Sequence, residues 1–292
     1  MDIHSRIEQT LSQALEAVGG AGCPPRLLET TRYAVFPGGA RVRPRLCLAV
    51  AAACGDDQPA LSAAVAAGIE LMHCASLIHD DLPCFDDAQM RRGRPAVHLA
   101  FGEPLALLAG DALIVLAFDT LARAAQVAPQ RLPALLLALS AATGMPRGIV
   151  AGQAWECEPE VCLSGYQQSK TGALFAAATY AGAVAAGVDG QPWRRLGERI
   201  GEAYQIADDI HDATADAWQV GKDVGRDAVL ERPNAVHAFG LKGAVQRLEL
   251  LLGQALDAVP SCAGAEPLRE YIIEQAARLK PSFAERPLRV VA

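Results

Sequence analysis

Two acidic clusters are the residues in this sequence best suited to chemistry. The stretch 70–98 reads ELMHCASLIHDDLPCFDDAQMRRGRPAVH: an apolar run delivers Asp80, Asp81, Asp86 and Asp87, and Arg91 and Arg92 follow at once. Far downstream, residues 204–212 (YQIADDIHD) supply Asp208, Asp209 and Asp212. Carboxylates crowded together by apolar helices repel one another, and protonation or a bound cation relieves them. Carboxylate oxygens suit hard cations, and Mg²⁺ is ordinarily held by a few carboxylates together with substrate phosphates. Adjacent guanidinium groups match phosphate geometry. Metal, carboxylate and arginine together point to chemistry on a diphosphate.

Each feature also has a plainer explanation. Asp208 and Asp212 are four apart and share a helix face with Gln205, whereas Asp209 lies about 100° round. A solvated acidic face would account for that pattern, but Ile200, Tyr204, Ile206 and Ala207 make the segment largely apolar. A calcium loop starting at Asp80 fails, because its sixth and twelfth places hold Phe85 and Arg91 instead of Gly and Glu. Arg91 to Arg94 could be a nucleic-acid patch, yet the chain carries a net charge of −7. Lys170-Thr171-Gly172 puts a lysine inside an apolar stretch, where it should be paired. Gly221-Lys222 alone reads as a turn. His73 and His79 are six apart and face different ways, which argues against zinc, although His73 can share a cavity with Asp80.

These residues need elements to position them. Of 292 residues, 51% are hydrophobic but 5% aromatic, with Ala and Leu dominant, a composition that favours helices over sheets. Helical periodicity and Gly/Pro breaks predict helices over 1–18, 26–36, 45–54, 60–82, 104–126, 131–143, 148–158, 166–187, 193–217, 241–258 and 265–279. Residues 221–234 read as a polar loop and 281–292 as a loosely held end. The pattern predicts one all-α bundle over 1–292, without strand alternation or repeat. The apolar runs, such as Leu46 to Cys54, fall short of a membrane span. Met1 to Gln9 carries charges and no apolar signal core, and the eight cysteines show no paired spacing. Reduced, mostly buried thiols and a cytoplasmic location are the expectation.

So many motifs together resemble the short-chain trans-prenyl diphosphate synthases, most closely the bacterial geranylgeranyl diphosphate synthases. The likeness covers nearly the whole chain and is clearest from Arg32 to Asn234. The family's first aspartate motif, DDxxxxD, is met by Asp80, Asp81 and Asp86, followed by RRGxPxxH at Arg91 to His98. Its second, DDxxD, is met by Asp208, Asp209 and Asp212, preceded by Gln205. Lys170-Thr171-Gly172 and Lys222 match two further elements. The resemblance implies an isoprenoid synthase fold with a central cavity, a homodimer, and three Mg²⁺ ions per site. Asp80, Asp81 and Asp86 would hold metal on one wall, and Asp208, with Asp209 and Asp212, on the other. Arg91, Lys170, Thr171, Gln205 and Lys222 would bind the allylic diphosphate. Arg43, His73 and Arg92 would bind isopentenyl diphosphate.

The sequence departs from the family at one informative place. The pattern GGKRxRP is Gly38-Gly39-Ala40-Arg41-Val42-Arg43-Pro44 here, so the usual lysine is Ala40, and Arg41 or Arg45 is a candidate substitute. A later lysine of the polar loop is Arg232. Phe85, Phe175 and Tyr204 are expected to line the cavity. The hydrocarbon should run along the helix that carries Asp80, over Ala75 and Ser76 towards Met72. Farnesyl synthases resembling this chain usually have an aromatic where Ala75 stands. The expected activity is condensation of isopentenyl diphosphate with dimethylallyl, geranyl or farnesyl diphosphate to give geranylgeranyl diphosphate. The alternatives are a farnesyl diphosphate synthase, a class I terpene cyclase, and a non-catalytic partner subunit. A cyclase would want more aromatics, and the intact acidic motifs speak against an inactive subunit.

Overall fold

The computed structural model describes residues 2–159, 165–166, 168–214 and 234–279. The chain enters through α1 (Ile3–Val18) and α2 (Pro25–Val35), then α3 (Val42–Ala53) and the long α4 (Pro59–Asp80). The Asp2 carboxylate caps α1 by accepting from the Ser5 amide at 3.1 Å. Proline opens α2 and α4, where its missing N–H costs nothing. A hairpin follows, β1 (Met90–Arg91) and β2 (Arg94–Pro95), and then α5 (Val97–Phe101) and α6 (Glu103–Ala124). Next come α7 (Leu132–Thr143), α8 (Ile149–Ala154), a π-helical turn (Gln168–Gly172) and α9 (Ala173–Ala185). The chain continues with α10 (Arg194–Thr214), α11 (Ala235–Asp257) and α12 (Ala265–Leu279).

Helix α4 is the axis. Almost every side chain from Leu61 to Ala75 is buried, and α6, α3 and α9 pack around it. Its neighbours bury mostly Ala, Leu and Val, small enough for close helix approach. Helix α11 packs on α10, the second helix to carry site residues. By length and composition α4 could cross a bilayer, but 83% of its apolar window is buried inside the bundle. Helix α6 with its following turn passes the same test with 39% buried, so much of its apolar surface faces outward. Both are longer apolar runs than the sequence reading allowed.

The expected helices are present with ends shifted by a few residues. Helix α3 starts at Val42, earlier than expected, and the stretch 166–187 splits into the π turn and α9. The last long helix starts at Ala235, with a break at Gly240, where φ is +68°. The hairpin and α5 were not anticipated, because two-residue strands carry no period-2 signal. Among the described residues every cysteine is a free thiol, but Cys47 and Cys74 alone are buried, while Cys84 and Cys157 are exposed. The expectation of mostly buried thiols is corrected accordingly. Residues 215–233 and 280–292 lie outside the described residues, and with them Lys222, Arg232, the polar loop up to 233 and the chain end.

Candidate active site

A cavity of about 630 Å³ opens between α4, α6, α8, the π turn and α10. Helix α4 ends at Asp80 because the chain turns into Pro83, and Asp80 sits at the cavity mouth. The loop that follows is tied by its backbone: the Asp86 amide donates to the Asp80 carbonyl at 2.9 Å, which folds Asp86 back beside Asp80. A third carboxylate joins them from the short helical turn after α8. Asp80, Asp86 and Glu156 each place an oxygen within 4.8 Å of the others. Burial pushes the Asp80 carboxyl above the ordinary aspartate range; the Lys170 ammonium works against that, and Asp86 and Glu156 add to it. The cluster already draws a cation: Lys170 Nζ lies 3.2 Å from Asp80 and 2.5 Å from Glu156. Hard oxygen donors in this grouping fit Mg²⁺.

Glu156 was missed by the sequence reading. Its oxygens also accept from Tyr166 Oη at 2.6 Å and Gln153 Nε2 at 3.0 Å. The available signal was Gln153 and Glu156 three apart on an otherwise apolar helical stretch. Lys170 is seated by the π turn, a feature common at functional sites. Gly152 of α8 lets that turn approach, since a Cβ there would lie 2.5 Å from the Lys170 backbone nitrogen.

Asp208 and Asp212 line the opposite wall from successive turns of α10, with Gln205 a turn earlier. Thr171 donates to Gln205 Oε1 at 2.5 Å, joining the π turn to α10. Arg43, His73, Arg91, Lys170 and Thr171 also line the cavity, as do Met72, Ala75 and Ser76. Burial, reinforced by the surrounding arginines, pushes His73 well below the ordinary imidazole range, so it is neutral.

Several expected site residues stand one step back. Asp81 is 1% exposed and takes a bidentate contact from Arg91, with Nε at 3.1 Å and Nη2 at 2.5 Å. Asp209 is likewise buried: it accepts from Gln205 Nε2 at 2.9 Å and from the Ala235 amide at 2.7 Å, at the head of α11. Arg92 faces a neighbouring crevice rather than the main cavity. Arg41 cannot substitute for a lysine at position 40, because its side chain is wholly buried against Glu8, Glu70 and the Val35 carbonyl. Arg45 is not among the lining residues. Of the three aromatics expected in the cavity, Phe85 lines it. Phe175 is fully buried, with the Arg43 guanidinium 4.5 Å above its ring and Tyr204 5.3 Å away. The Phe175 ring seats Arg43, Tyr204 packs against Phe175, and neither is among the residues that line the cavity.

The arrangement is a cavity with acidic clusters on two walls, cations between them and an apolar end along α4. Comparison with known proteins places this chain in a class. Residues 24–263 match the polyprenyl synthetase family, and the chain belongs to that family. It is 53% identical to the geranylgeranyl diphosphate synthase of Cereibacter sphaeroides over 282 residues, covering 97% of this chain and 98% of that one. It is 49% identical to the enzyme of the same name from Rhodobacter capsulatus, covering 98% and 100%. A solved geranyltransferase from Helicobacter pylori, complexed with magnesium and isoprenyl diphosphate, superposes with a TM-score of 0.81 at 29% identity, covering 94% of this chain and 96% of that one. The fold is that of these all-α prenyltransferases.

Proposed function

We propose that this protein condenses isopentenyl diphosphate with dimethylallyl, geranyl or farnesyl diphosphate and releases geranylgeranyl diphosphate. The observation that carries this reading is the cavity itself: carboxylates on two walls, cations between them, and Ala75 on the path below. Asp80, Asp86 and Glu156 would hold Mg²⁺ on one wall and Asp208 and Asp212 on the other, three ions in all. Bound Mg²⁺ supplies charge neutralisation and Lewis acidity for the leaving diphosphate.

The chain's own groups do the rest. Arg91, Lys170, Thr171 and Gln205, with Lys222, hold the allylic diphosphate and stabilise the charge that develops as its C–O bond breaks. Asp81 aims Arg91, and Asp209 aims Gln205. Arg43, neutral His73 and Arg92, with Arg232, hold isopentenyl diphosphate, whose alkene attacks the allylic cation. The departed diphosphate, retained by these cations, takes the proton. Apolar walls from α4, α6 and α9 keep water from the cation.

Purified protein supplied with both diphosphates and Mg²⁺ should form a twenty-carbon product, read by mass spectrometry. Absence of condensation refutes the reading. Consumption of geranylgeranyl diphosphate without isopentenyl diphosphate would make the protein a cyclase instead. The homodimer is part of the proposal. Its support is α6, where Leu108 and Val115, seven residues apart on one face, are 51% and 67% exposed and lie outside the cavity lining. Light scattering should give twice the chain mass, and Val115→Glu should give monomer. The free thiols suit the reducing cytoplasm in which we place it.

A further inference from the structure

The hairpin that presents Arg91 and Arg92 cannot hold itself. Its strands are two residues each, and an isolated hairpin of that size is unstable in water. Its turn is Arg92-Gly93, both with positive φ, +53° and +72°, the pattern of a type I′ turn. Glycine takes that conformation freely, but arginine seldom does, so surrounding contacts must impose it.

Those contacts converge on Arg94. Its Nη2 donates to the Tyr33 carbonyl at 2.6 Å and the Phe36 carbonyl at 2.8 Å. Its guanidinium lies 3.9 Å above the Tyr33 ring. The Tyr33 hydroxyl closes the loop by donating to the Pro95 carbonyl at 2.9 Å, and Phe101 packs edge-on against the same ring at 5.1 Å. Helix carbonyls near a C-terminus lack helical partners, and one guanidinium satisfies the Tyr33 carbonyl of α2 together with that of Phe36 just after it. The clasp therefore joins three parts: the hairpin, the end of α2, and the start of the 37–41 loop that carries Ala40. Arg94 does not line the main cavity.

We infer that Arg94 is a positioning residue for the isopentenyl diphosphate pocket, an inference that rests on the function proposed above. The two arginines of the hairpin depend on it unequally. Arg91 has its own bidentate hold on Asp81. Arg92 has a looser one: Glu70 stands 3.8 Å away, the Cys74 thiol is a weak side-chain partner, and a Cβ on Gly39 would lie 3.2 Å from the Arg92 Nε. Releasing the clasp frees Arg92 and the Ala40 loop together, while Arg91 stays in place.

The test is steady-state kinetics of Arg94→Met with each substrate varied in turn. The Michaelis constant for isopentenyl diphosphate should rise about tenfold, that for the allylic substrate by less than about threefold, and kcat should stay within about threefold, the signature of lost ground-state binding. Arg94→Lys keeps the charge but loses the flat fork, and should shift the same constant by about threefold. Tyr33→Phe removes the hydroxyl bond alone and should move it in the same direction. Should Arg94→Met not fold, the Lys and Phe variants carry the test. Wild-type constants in the folded variants, an equal rise for both substrates, or a fall in kcat with both constants unchanged would overturn the inference. A wild-type protein that performs no condensation refutes the functional reading, and this inference with it.

Discussion

Replacing Ala75 by phenylalanine should convert a twenty-carbon synthase into a fifteen-carbon one. Ala75 is 1% exposed and lines the cavity on α4. It stands five residues before Asp80, about 7.5 Å nearer the closed end, and Met72 about 12 Å nearer, at 1.5 Å per helical residue. One helical turn, about 5.4 Å, is close to the length of one extended isoprene unit. An open passage at Ala75 therefore admits one unit more than a blocked one. Burying those five carbons contributes roughly 4 kcal/mol, at about 0.8 kcal/mol per carbon. A phenyl ring removes that space, and forcing the chain past it adds an overpacking cost of about 1–3 kcal/mol. The combined swing is on the order of 5 kcal/mol, far beyond the 1.4 kcal/mol that changes a product ratio tenfold. Mass spectrometry of the dephosphorylated products decides it. Wild type should give mainly twenty carbons and Ala75→Phe mainly fifteen, with Mg²⁺ dependence unchanged. A wild type that stops at fifteen, or a variant that still makes twenty, would show that the chain does not run over Ala75.

Four further outcomes follow from the same geometry. Turnover should vanish in excess chelator, and Asp80→Ala or Asp208→Ala should each lower kcat by at least about 100-fold, the scale on which a lost transition-state contact is felt; near-normal turnover in Asp208→Ala would reduce α10's carboxylates to a solvated face. Ala40 is exposed, so Ala40→Lys should lower the Michaelis constant for isopentenyl diphosphate by about three- to tenfold, less than a desolvated charge-assisted contact would give; a change confined to the allylic substrate would misplace this loop. Arg41→Ala leaves Glu70, 1% exposed, without its 2.7 Å partner, and should cost about 3–5 kcal/mol. A Tm lowered on the order of 10 °C by calorimetry is expected, and an unchanged Tm would refute the burial argument. Burial pushes the Cys47 thiol up to about 12 and Cys74 up to about 11, so both should resist iodoacetamide at pH 8 in the native protein, while exposed Cys84 and Cys157 react. Peptide mapping by mass spectrometry reads this directly, and rapid labelling of Cys47 would contradict it.

Periodicity and punctuation in the sequence were enough for the all-α bundle, because apolar residues at helical spacing can be buried in few other ways. The aspartate motifs were legible for the same reason that they are expensive: carboxylates on apolar helices demand a cation. Asp80, Asp86, Asp208 and Asp212 needed no structure to be singled out. What spacing could not reveal is which oxygen faces the cavity. Asp81 and Asp80 are adjacent in the chain, yet one turns to Arg91 and the other to the site, because successive helical residues point about 100° apart. Asp209 turns away from Asp208 likewise, and its bond to the Ala235 amide depends on α11 lying alongside α10. Glu156 and Arg94 carry no motif of their own. Glu156 joins Asp80 from a helical turn far along the chain, and Arg94 reaches carbonyls about 60 residues earlier in sequence. Arg41 and Arg43, two apart in one short motif, part company for a tertiary reason. Arg41 finds Glu8 and Glu70 in the core, and Arg43 finds the Phe175 ring beside the cavity. Those partners come from other elements, so only packing assigns one arginine to the scaffold and the other to the site.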